Sequence, residues 1–367
     1  LPNYPKGEVF PEYSGRLSVK EEIDGINVLR TWIVPSVKKS TFRQLLCYFS
    51  FLVSAGFFGL FKLHKADFVI CESPPLFLGA TALLLSFAKS AKLVMNISDL
   101  WPESAVQLGM IGPGAALSML ECFERHLYRR SALVLCQTEG IVEGVKKRHQ
   151  HAETFLFPNG VAIEQFAPQP SEPEFRRNFG IPENAFLVGY AGNFGRSQAL
   201  RQVLEAAELL KEKSNLFFAL FGDGPEKDDL ARTVEEKKLS NVRLCQSQAR
   251  HRMSSVLSQF DVALVPLKNI ALFKGARPSK MFELMACEVP FIFCGEGEGA
   301  DIAEKSGCAI KVPPENPRRL AESILELEGL PLEKRKEMGR EGRSFVERQF
   351  NRGILAERLA GKLKEMA

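Results

Sequence analysis

Short apolar runs alternate with amphipathic stretches along almost the whole chain, and this alternation limits the fold more than any other feature of the sequence. The runs are rich in Val, Ile and Phe and apolar on both faces, which is typical of parallel strands covered by helices on both sides. Between two of them, 197–213 carries apolar residues at the spacing of one helix face. Strands that alternate with helices predict an α/β, doubly wound architecture.

The predicted strands form two sets. The first set comprises 27–33, 67–71, 92–97, 132–136 and 154–157, and the second comprises 186–190, 217–221, 242–245, 262–266, 291–294 and 309–312. Prolines and polar residues cluster between the sets, at 169–173, as in a linker. We therefore predict two Rossmann-like domains, over 1–168 and 174–345, and a C-terminal helix within 346–367 that could cross back to the first domain. Ligands of such folds bind at the carboxyl ends of the strands, and the site is therefore expected in a cleft between the domains.

The composition argues against some classes of partner. The 367 residues are 45% hydrophobic, enough for two cores, and the formal net charge of +4 is too small to indicate the concentrated basic face of a nucleic-acid binder. The 8 cysteines form no Cys-x-x-Cys pair, and most of them lie within apolar runs. This pattern predicts buried, reduced thiols in a cytoplasmic protein rather than disulfides or a metal site.

An uncharged, apolar stretch runs from 44 to 61, between Arg43 and Lys62. A bilayer span needs about 20 apolar residues, which makes the stretch borderline in length, and its Ser and Gly residues weaken that interpretation. Three alternatives stay open: a buried or surface helix of the first domain, a helix lying in the membrane interface, and a true span. The basic flanks favour an anionic membrane as the partner of 43–62 if the segment is peripheral.

The strongest candidate for chemistry is the stretch 277–283, which follows a predicted strand. Pro278 suits the first turn of a helix, where its missing N–H does no harm. The free N–H groups from Ser279 onward, together with Lys280, suit an anion such as a diphosphate. Glu283, about one turn later, could accept hydrogen bonds from ribose hydroxyls. A plain amphipathic helix that starts with Pro explains the same pattern, and the residues alone leave both interpretations open.

Two Gly-rich turns follow strands of the second set. Glycines allow the backbone to approach a phosphate closely, although each turn by itself could serve only chain packing. Together with 277–283 the two turns strengthen the case for a nucleotide site. The candidate binding residues in the turns are Gly192, Asn193, Arg196, Gly222 and Gly224.

In the first domain, Asp99 and Glu103 follow the strand 92–97 and should face the expected cleft. Asp99 is the candidate for orienting or deprotonating an acceptor, although a helix cap would explain it as well. The sequence has no Asp-x-Asp, no Gly-x-Ser-x-Gly and no Walker motif, and its histidines lack metal-ligand spacing. We therefore predict neither a metal nor another cofactor.

These stretches resemble the large bacterial family of retaining GT-B glycosyltransferases called glycosyl transferases group 1, and most closely its enzymes of O-antigen, capsule and colanic-acid synthesis. The matching segments are Asp-Leu-Trp-Pro-Glu-Ser at 99–104, Pro-Asn-Gly-Val at 158–161, Tyr-Ala-Gly-Asn at 190–193, Phe-Gly-Asp-Gly-Pro at 221–225 and Pro-Ser-Lys-x-x-Glu at 278–283. The resemblance covers nearly the whole chain, and the combination of segments is specific.

The resemblance implies transfer of a sugar, with retained configuration, from a nucleoside-diphosphate donor to a glycan or a polyprenyl-diphosphate-linked acceptor, without a metal. The subgroup suggests a UDP-activated N-acetylated amino sugar as the donor. Asp99, Lys280 and Glu283 are the catalytic candidates. A GT-B-fold UDP-sugar epimerase and a non-catalytic binding protein stay open as alternatives.

Three departures from the family pattern bear on these expectations. The first of the family's two glutamates is Gly275 here, and the second, Glu283, is present. The family's Arg and Lys that hold the diphosphate correspond to Asn193 and Gln198. The basic residues that could replace them are Arg196, Arg277 and Lys280. The family's first strand and Gly-rich acceptor loop should precede Leu1, where loop-like sequence begins without Met, and we therefore expect the first domain to lack its initial strand and helix.

Overall fold

The computed structural model of the chain describes residues 1–3, 7–36, 41–107 and 109–367. The chain folds into two compact units, Leu1–Phe157 together with Ala367, and Pro158–Met366. Part of the loop expected at the start of the chain, Tyr4 and Pro5, lies outside the described residues.

The division between the units falls before the Pro-rich stretch 169–173 that the sequence indicates as a linker. The backbone N–H of Ala167 donates to Ser254 Oγ at 3.1 Å, and that of Gln169 donates to Ser258 Oγ at 3.0 Å. These bonds attach the stretch to the second unit, because local composition marks a loop without showing which unit the loop packs against.

The helices and strands have the following bounds. In the first unit they are β1 (Ser18–Ile23), β2 (Ile26–Thr31), α1 (Thr41–Lys62), β3 (Phe68–Ser73), α2 (Leu78–Lys89), β4 (Lys92–Ile97), α3 (Glu103–Gln107), α4 (Ala115–Arg130), β5 (Leu133–Cys136), α5 (Glu139–Arg148) and β6 (Thr154–Leu156). In the second unit they are α6 (Phe175–Asn178), β7 (Phe186–Ala191), α7 (Arg201–Leu209), β8 (Leu216–Phe221), α8 (Lys227–Glu236), β9 (Val242–Cys245), α9 (Met253–Leu257), β10 (Val262–Pro266), α10 (Ser279–Ala286), β11 (Phe291–Cys294), α11 (Glu298–Lys305), β12 (Ala309–Val312), α12 (Pro317–Glu328), α13 (Leu332–Gln349) and α14 (Arg352–Met366).

The sheet of the second unit is parallel and has the strand order β12-β11-β10-β7-β8-β9. The chain enters in the middle at β7, runs outward through β8 and β9, and then returns to the middle at β10. Successive strands therefore lead away from the β7–β10 pair in opposite directions, which creates the switch point where open α/β sheets bind ligands. The doubly wound architecture predicted from the apolar runs is confirmed.

The first unit has a parallel sheet in the order β3-β4-β5-β6. Its core contains Met95 of β4, Leu127 of α4 and Val145 of α5, all of which are fully buried. Because β3 and β4 are parallel neighbours, their carboxyl ends lie side by side. The residues that follow these two strands are therefore close together.

The sequence pattern places 27–33 in the parallel strand set of the first domain, and this prediction is wrong about the strand with which it pairs. β2 pairs antiparallel with β1 in a separate two-stranded sheet, with Ile23 opposite Ile26. Asp24 and Gly25 connect the strands with φ values of 50° and 77°, as a two-residue hairpin turn requires. The Asp-Gly pair between two alternating segments was the available signal for this hairpin.

The helix predicted over 197–213 is shorter than expected. A 3-10 turn occupies Arg196–Gln198, and α7 begins only at Arg201 and ends at Leu209. Ala199 separates the two pieces with a left-handed φ of 43°. Helical spacing of apolar residues persists across such an interruption, which is why the periodicity did not reveal it.

The cysteines are free, and most of them are buried as predicted. Burial raises the pKa of the Cys71 and Cys136 thiols to about 12, which makes both thiols poor nucleophiles at neutral pH. Cys122 departs from the prediction because it lies on the exposed side of α4.

In the described part of the chain, α1 is the one helix that is long and apolar enough to cross a membrane. The qualifying segment is Leu45–Lys62, and 17% of it is buried. α1 is therefore a surface helix of the first unit and not a core helix.

Candidate active site

The two strands at the switch point, β7 and β10, lead into the segments that the sequence singles out. β7 ends at Ala191, directly before Gly192. The segment after β10 ends in α10, whose N-terminal cap is Pro278. Pro278 has a non-helical ψ of 126° and therefore precedes the helix, rather than lying in its first turn as predicted. Ser279 is the first helical residue, and the N–H groups that open α10 are suited to an anion.

Lys280 reaches from the first turn of α10 to the turn that follows β7. Its Nζ donates to Oε1 of Gln198 at 2.6 Å and to the hydroxyl oxygen of Tyr190 at 3.0 Å. The same nitrogen lies 4.3 Å from the centre of the Tyr190 ring. The Tyr190 hydroxyl donates its own proton to the Asn193 carbonyl oxygen at 2.7 Å, and this bond orients the hydroxyl oxygen as an acceptor for Lys280.

Burial in this site lowers the pKa of Lys280 to about 7, and the nearby Glu283 carboxylate opposes the shift. Near neutral pH the amine is therefore divided between its charged and neutral forms. Its two oxygen partners are dipoles rather than charges, and they compensate little for the loss of water. A diphosphate entering the site would supply the opposite charge and would favour the ammonium form.

Glu283 lies one turn after Lys280 on α10, and its side chain is 17% exposed. Nη2 of Arg250 donates to Oε1 of Glu283 at 3.4 Å. Burial raises the pKa of Glu283, while Arg250 and Lys280 oppose that shift. Since the Arg250 bond is long, the carboxylate keeps capacity to accept hydrogen bonds from ribose hydroxyls. Sequence reasoning missed Arg250, whose one signal was the basic run 250–252 after a strand.

The glycines of the two turns serve close packing as well as ligand access. A Cβ atom at Gly222 would collide with the Gly192 carbonyl oxygen, and one at Gly224 would collide with Oδ1 of Asn193. A Cβ atom at Gly192 would lie 2.8 Å from Nζ of Lys280. Gly222 and Gly224 therefore hold the turns together, and Gly192 is the glycine that borders the amine.

The other basic candidates differ in availability. Nη2 and Nε of Arg277 lie 2.7 and 2.9 Å from Oε2 of Glu298, and the Arg277 side chain is 10% exposed. Arg196 lies exposed in the 3-10 turn that follows β7. Arg196 and Lys280 are therefore better placed than Arg277 to bring positive charge to a ligand.

In the first unit, Asp99 follows β4 as predicted and is half-buried. Within the described residues its carboxylate makes no hydrogen bond, which leaves the helix-cap interpretation without support. Glu103 has a structural partner instead, because its carboxylate forms an ion pair with Arg148. Nε of Arg148 also donates to Oε2 of the buried Glu124 at 3.0 Å.

Sequence reasoning missed a second carboxylate at this end of the sheet. Glu72, at the end of β3, accepts hydrogen bonds from Nδ2 of Asn96 and Oγ of Ser98 on the neighbouring strand end. Its side chain is exposed. The available signal was a carboxylate before Ser73-Pro74-Pro75 at the end of an apolar strand.

Comparison with known protein families accounts for both units. Residues 171–345 match the family described as Glycosyl transferases group 1, and residues 9–160 match the family described as Glycosyl transferase 4-like domain. The chain therefore contains a group 1 glycosyl transferase domain and a glycosyl transferase 4-like domain. The resemblance seen in the sequence segments, and the enzyme class that it implies, are therefore confirmed.

Two curated relatives align with most of this glycosyltransferase. The colanic acid biosynthesis glycosyl transferase WcaI of Escherichia coli (strain K12) is 27% identical over 341 residues, which cover 90% of this chain and 83% of WcaI. The glycosyltransferase WbjE of Pseudomonas aeruginosa is 25% identical over 310 residues, which cover 83% of this chain and 76% of WbjE.

Two solved structures share its fold. Sucrose-phosphate synthase from Thermosynechococcus elongatus aligns with a TM-score of 0.75 and 16% identity, over 96% of this chain and 86% of its own. HepE of Anabaena, in complex with UDP-glucose, aligns with a TM-score of 0.68 and 16% identity, over 89% of this chain and 84% of its own. The glycosyltransferase therefore has the GT-B fold predicted from the sequence. At 16% identity, these structural similarities show the fold alone.

Proposed function

We propose that this glycosyltransferase transfers a sugar, with retained configuration, from a nucleoside-diphosphate donor to a glycan or lipid-linked acceptor in bacterial surface polysaccharide synthesis. The observation that carries the proposal is the enclosed Lys280 amine at the start of α10, beside the turn that follows β7. The name of WcaI, a colanic acid biosynthesis enzyme, supports the pathway. The complex of HepE with UDP-glucose supports a UDP-sugar as the donor.

In the proposed reaction, an acceptor hydroxyl oxygen bonds to the anomeric carbon on the face from which the diphosphate leaves. The bond between the anomeric carbon and the phosphate oxygen breaks, and its electron pair departs with the nucleoside diphosphate. The acceptor proton passes to the departing phosphate oxygen. Negative charge therefore builds on the diphosphate, and Lys280, Arg196 and the N-terminus of α10 stabilise that charge.

Two carboxylates have proposed roles in binding. Glu283 would accept hydrogen bonds from the ribose hydroxyls, which its partial burial and its single long bond with Arg250 support. Asp99 would orient or deprotonate the acceptor hydroxyl, because its carboxylate follows β4 and makes no hydrogen bond with the described residues.

The proposed substrates are a UDP-activated N-acetylated amino sugar and a sugar on a polyprenyl diphosphate. Both classes follow from the resemblance to the O-antigen and colanic-acid enzymes. A polyprenyl carrier lies in the bilayer, and an enzyme that uses it must work at the membrane. We therefore propose a cytoplasmic enzyme on the inner face of the cytoplasmic membrane.

The reaction is proposed to need no metal, because Lys280, Arg196 and helix N–H groups would neutralise the diphosphate. Among the residues that the structure describes, no three His, Cys, Asp or Glu side chains are grouped as metal ligands. Transfer should therefore continue when EDTA is added. Loss of transfer in EDTA, with recovery on adding Mg²⁺, would show that a metal ion neutralises the charge of the diphosphate.

Calorimetry with UDP and with GDP on the full chain tests the donor class, and we expect UDP to bind more tightly. A second assay supplies UDP-N-acetylglucosamine with and without a polyprenyl-diphosphate-linked sugar and determines the anomeric configuration of the product by NMR. Product that forms only with acceptor, with the donor's configuration, supports the proposal. Product formed from the donor alone indicates an epimerase, and absence of nucleotide binding indicates a non-catalytic protein.

A further inference from the structure

The surface helix α1 has its small residues inside and its large apolar residues outside. Gly56 and Gly59 are buried against α2, where a Cβ atom at Gly56 would lie 3.6 Å from Cγ2 of Thr81 and 3.7 Å from Cδ2 of Leu84. Ser54, also buried, belongs to the same inward side. A water-facing helix normally shows the opposite arrangement, with its large apolar residues turned towards the core.

The outward side of α1 carries a continuous row of large apolar side chains. Val53, Phe57 and Phe61 follow one another at four-residue spacing and are 67%, 57% and 75% exposed. The N-terminal half adds further exposed members. They are Leu45, Leu46, Tyr48, Phe49 and Phe51. Contiguous apolar exposure on this scale marks an interaction surface.

The neighbouring helix α2 extends the same surface. It packs along α1, and its Leu84 and Phe87 are 46% and 88% exposed. Phe87 and Phe61 belong to the C-terminal turns of their helices, and Lys89 Nζ joins those two helix ends by donating to the Leu60 and Leu63 carbonyl oxygens, each at 2.8 Å. We call the exposed apolar side chains of α1 and α2 the α1–α2 surface.

The charges around the α1–α2 surface have one predominant sign. Arg43 and Lys62 lie near the two ends of α1, Lys89 lies at the end of α2, and neither helix contains an acidic residue. Beyond α1, the exposed Lys65 is followed by one exposed acid, Asp67. Basic residues at the border of an apolar, aromatic surface complement the headgroups of anionic lipids.

Hydrogen bonds along its length keep α1 attached to the first unit. Oγ of Ser54 donates to the Trp32 carbonyl oxygen at 2.6 Å, and Oγ1 of Thr81 donates to the Leu52 carbonyl oxygen at 2.9 Å. The 22-residue helix is long enough for a span, at roughly 33 Å. A span would break these bonds, because the inward side of α1 would leave β2 and α2.

We propose that the α1–α2 surface lies in the headgroup region of an anionic bilayer, with α1 parallel to the membrane plane. This inference deepens the proposed function, since it names the membrane contact of an enzyme whose acceptor is carried on a lipid. Phe57, Phe61 and Phe87 enter the apolar boundary, while Arg43 and Lys65 stay at the phosphates. Contact along one helix face brings the first unit to the lipid without crossing it.

Sedimentation of the full chain with vesicles tests the proposal. We expect it to pellet with vesicles of equal parts phosphatidylcholine and phosphatidylglycerol, less with phosphatidylcholine alone, and less when salt is added. Phe57→Ser, Phe61→Ser and Phe87→Ser combined should lower the vesicle-bound to free ratio at least about tenfold, because three exposed rings no longer enter lipid. Their exposure means that the variant should fold, which thermal unfolding checks.

A matched control replaces exposed apolar residues of the second unit, Leu209→Ser, Leu332→Ser and Ile354→Ser, and should pellet like the parent chain. The proposal is overturned if the parent does not pellet with lipid, or if both triple variants pellet equally. It is also overturned if the parent self-associates without lipid and the Phe variant does not, since the surface would then bind a second copy. UDP calorimetry on each variant tests the proposed donor site independently of the membrane contact. If UDP does not bind, the proposed function fails, but vesicle binding is unaffected.

Discussion

Nζ of Lys280 donates a hydrogen bond to Oε1 of Gln198 at 2.6 Å, and the two residues are 82 positions apart in the chain. The sequence resemblance implies that Gln198 takes the position at which the broader family carries a basic residue for the diphosphate. A second ammonium at this distance would repel Lys280, whereas the Gln198 carbonyl oxygen accepts its proton. The Lys280 amine is therefore held by neutral oxygens, and in the proposed donor site its charge stays available for the diphosphate.

Removing the Gln198 acceptor should weaken donor binding. In Gln198→Leu the Lys280 ammonium loses a charge-assisted hydrogen bond, and we expect UDP affinity to fall about tenfold by calorimetry. Gln198→Glu should also weaken UDP binding, because its carboxylate competes with the diphosphate for Lys280. Ser197→Ala is the matched control, since Oγ of Ser197 contacts Gln198 and not Lys280. Unchanged affinity in Gln198→Leu would contradict the positioning role.

Donor binding should depend on pH through Lys280, whose pKa is lowered by burial to about 7. A bound diphosphate favours the ammonium form and raises that pKa, and the complex therefore takes up a proton above about pH 7. Between about pH 7 and the pKa of the complex, UDP affinity should fall as the pH rises, by at most about tenfold per pH unit. Calorimetry in buffers with different ionisation enthalpies measures the uptake.

Lys280→Met provides the control for this titration and a second readout. The variant should bind UDP weakly, without the slope above about pH 7 and without the associated proton uptake. In the parent chain, the unfolded state binds the Lys280 proton more tightly than the folded state, and stability should therefore rise between about pH 7 and pH 10. Lys280→Met should lack this part of the rise in a pH series of urea unfolding. Identical slopes in both proteins would argue against a lowered pKa.

Glu283→Ala should remove recognition of the ribose. We expect the parent to bind 2′-deoxy-UDP about tenfold more weakly than UDP, because a partly buried carboxylate loses its hydroxyl partner. Glu283→Ala should bind both nucleotides with the same, lowered affinity. Glu326→Ala, on an exposed part of α12, should behave like the parent. A preference for UDP that persists in Glu283→Ala would place the ribose elsewhere.

Arg148→Met should destabilise the first unit strongly. Glu124 is 1% exposed and would keep a buried carboxylate without its cation, which costs about 3–5 kcal/mol. Burial already raises the pKa of Glu124, and the loss should therefore shrink as the pH falls and the carboxyl group takes up a proton. Glu103→Gln changes only the exposed end of the network and should cost about 1 kcal/mol or less. Urea unfolding at two pH values compares the variants.

Gly222→Ala and Gly275→Ala form a matched pair within the second unit. A Cβ atom at Gly222 would collide with the Gly192 carbonyl oxygen, and we expect a loss of about 1–3 kcal/mol together with weaker UDP binding. No atom lies within 4 Å of a Cβ at Gly275, and that variant should stay within about 0.5 kcal/mol of the parent. Equal stability of the two variants would show that the two turns can move apart.

Some features of this protein were open to prediction because they depend on residues close together in the chain. The strands at 92–97, 262–266 and 291–294 coincide with the predicted ones, since apolar runs that are buried on both faces need no partner information to be recognised. The positions of Asp99 and of 278–283 after strands were predictable for the same reason. The hairpin of β1 and β2 also depends on residues close together in the chain. Its Asp-Gly turn was a signal for the hairpin, and the prediction of a strand at 27–33 did not take it into account.

The sequence by itself determined that the chain alternates strands and helices in two sets, and that its polar and Gly-rich segments follow the strands. Only the tertiary structure decided that Lys280 rests on Gln198 and Tyr190, that Glu283 meets Arg250, and that α1 turns its phenylalanines outward. Sheet order brings distant segments together at the switch point between β7 and β10, and periodicity within one segment carries no information about that order. Which side of α1 is inward likewise depends on α2 and β2, because a helix that is apolar all round has no preferred face of its own.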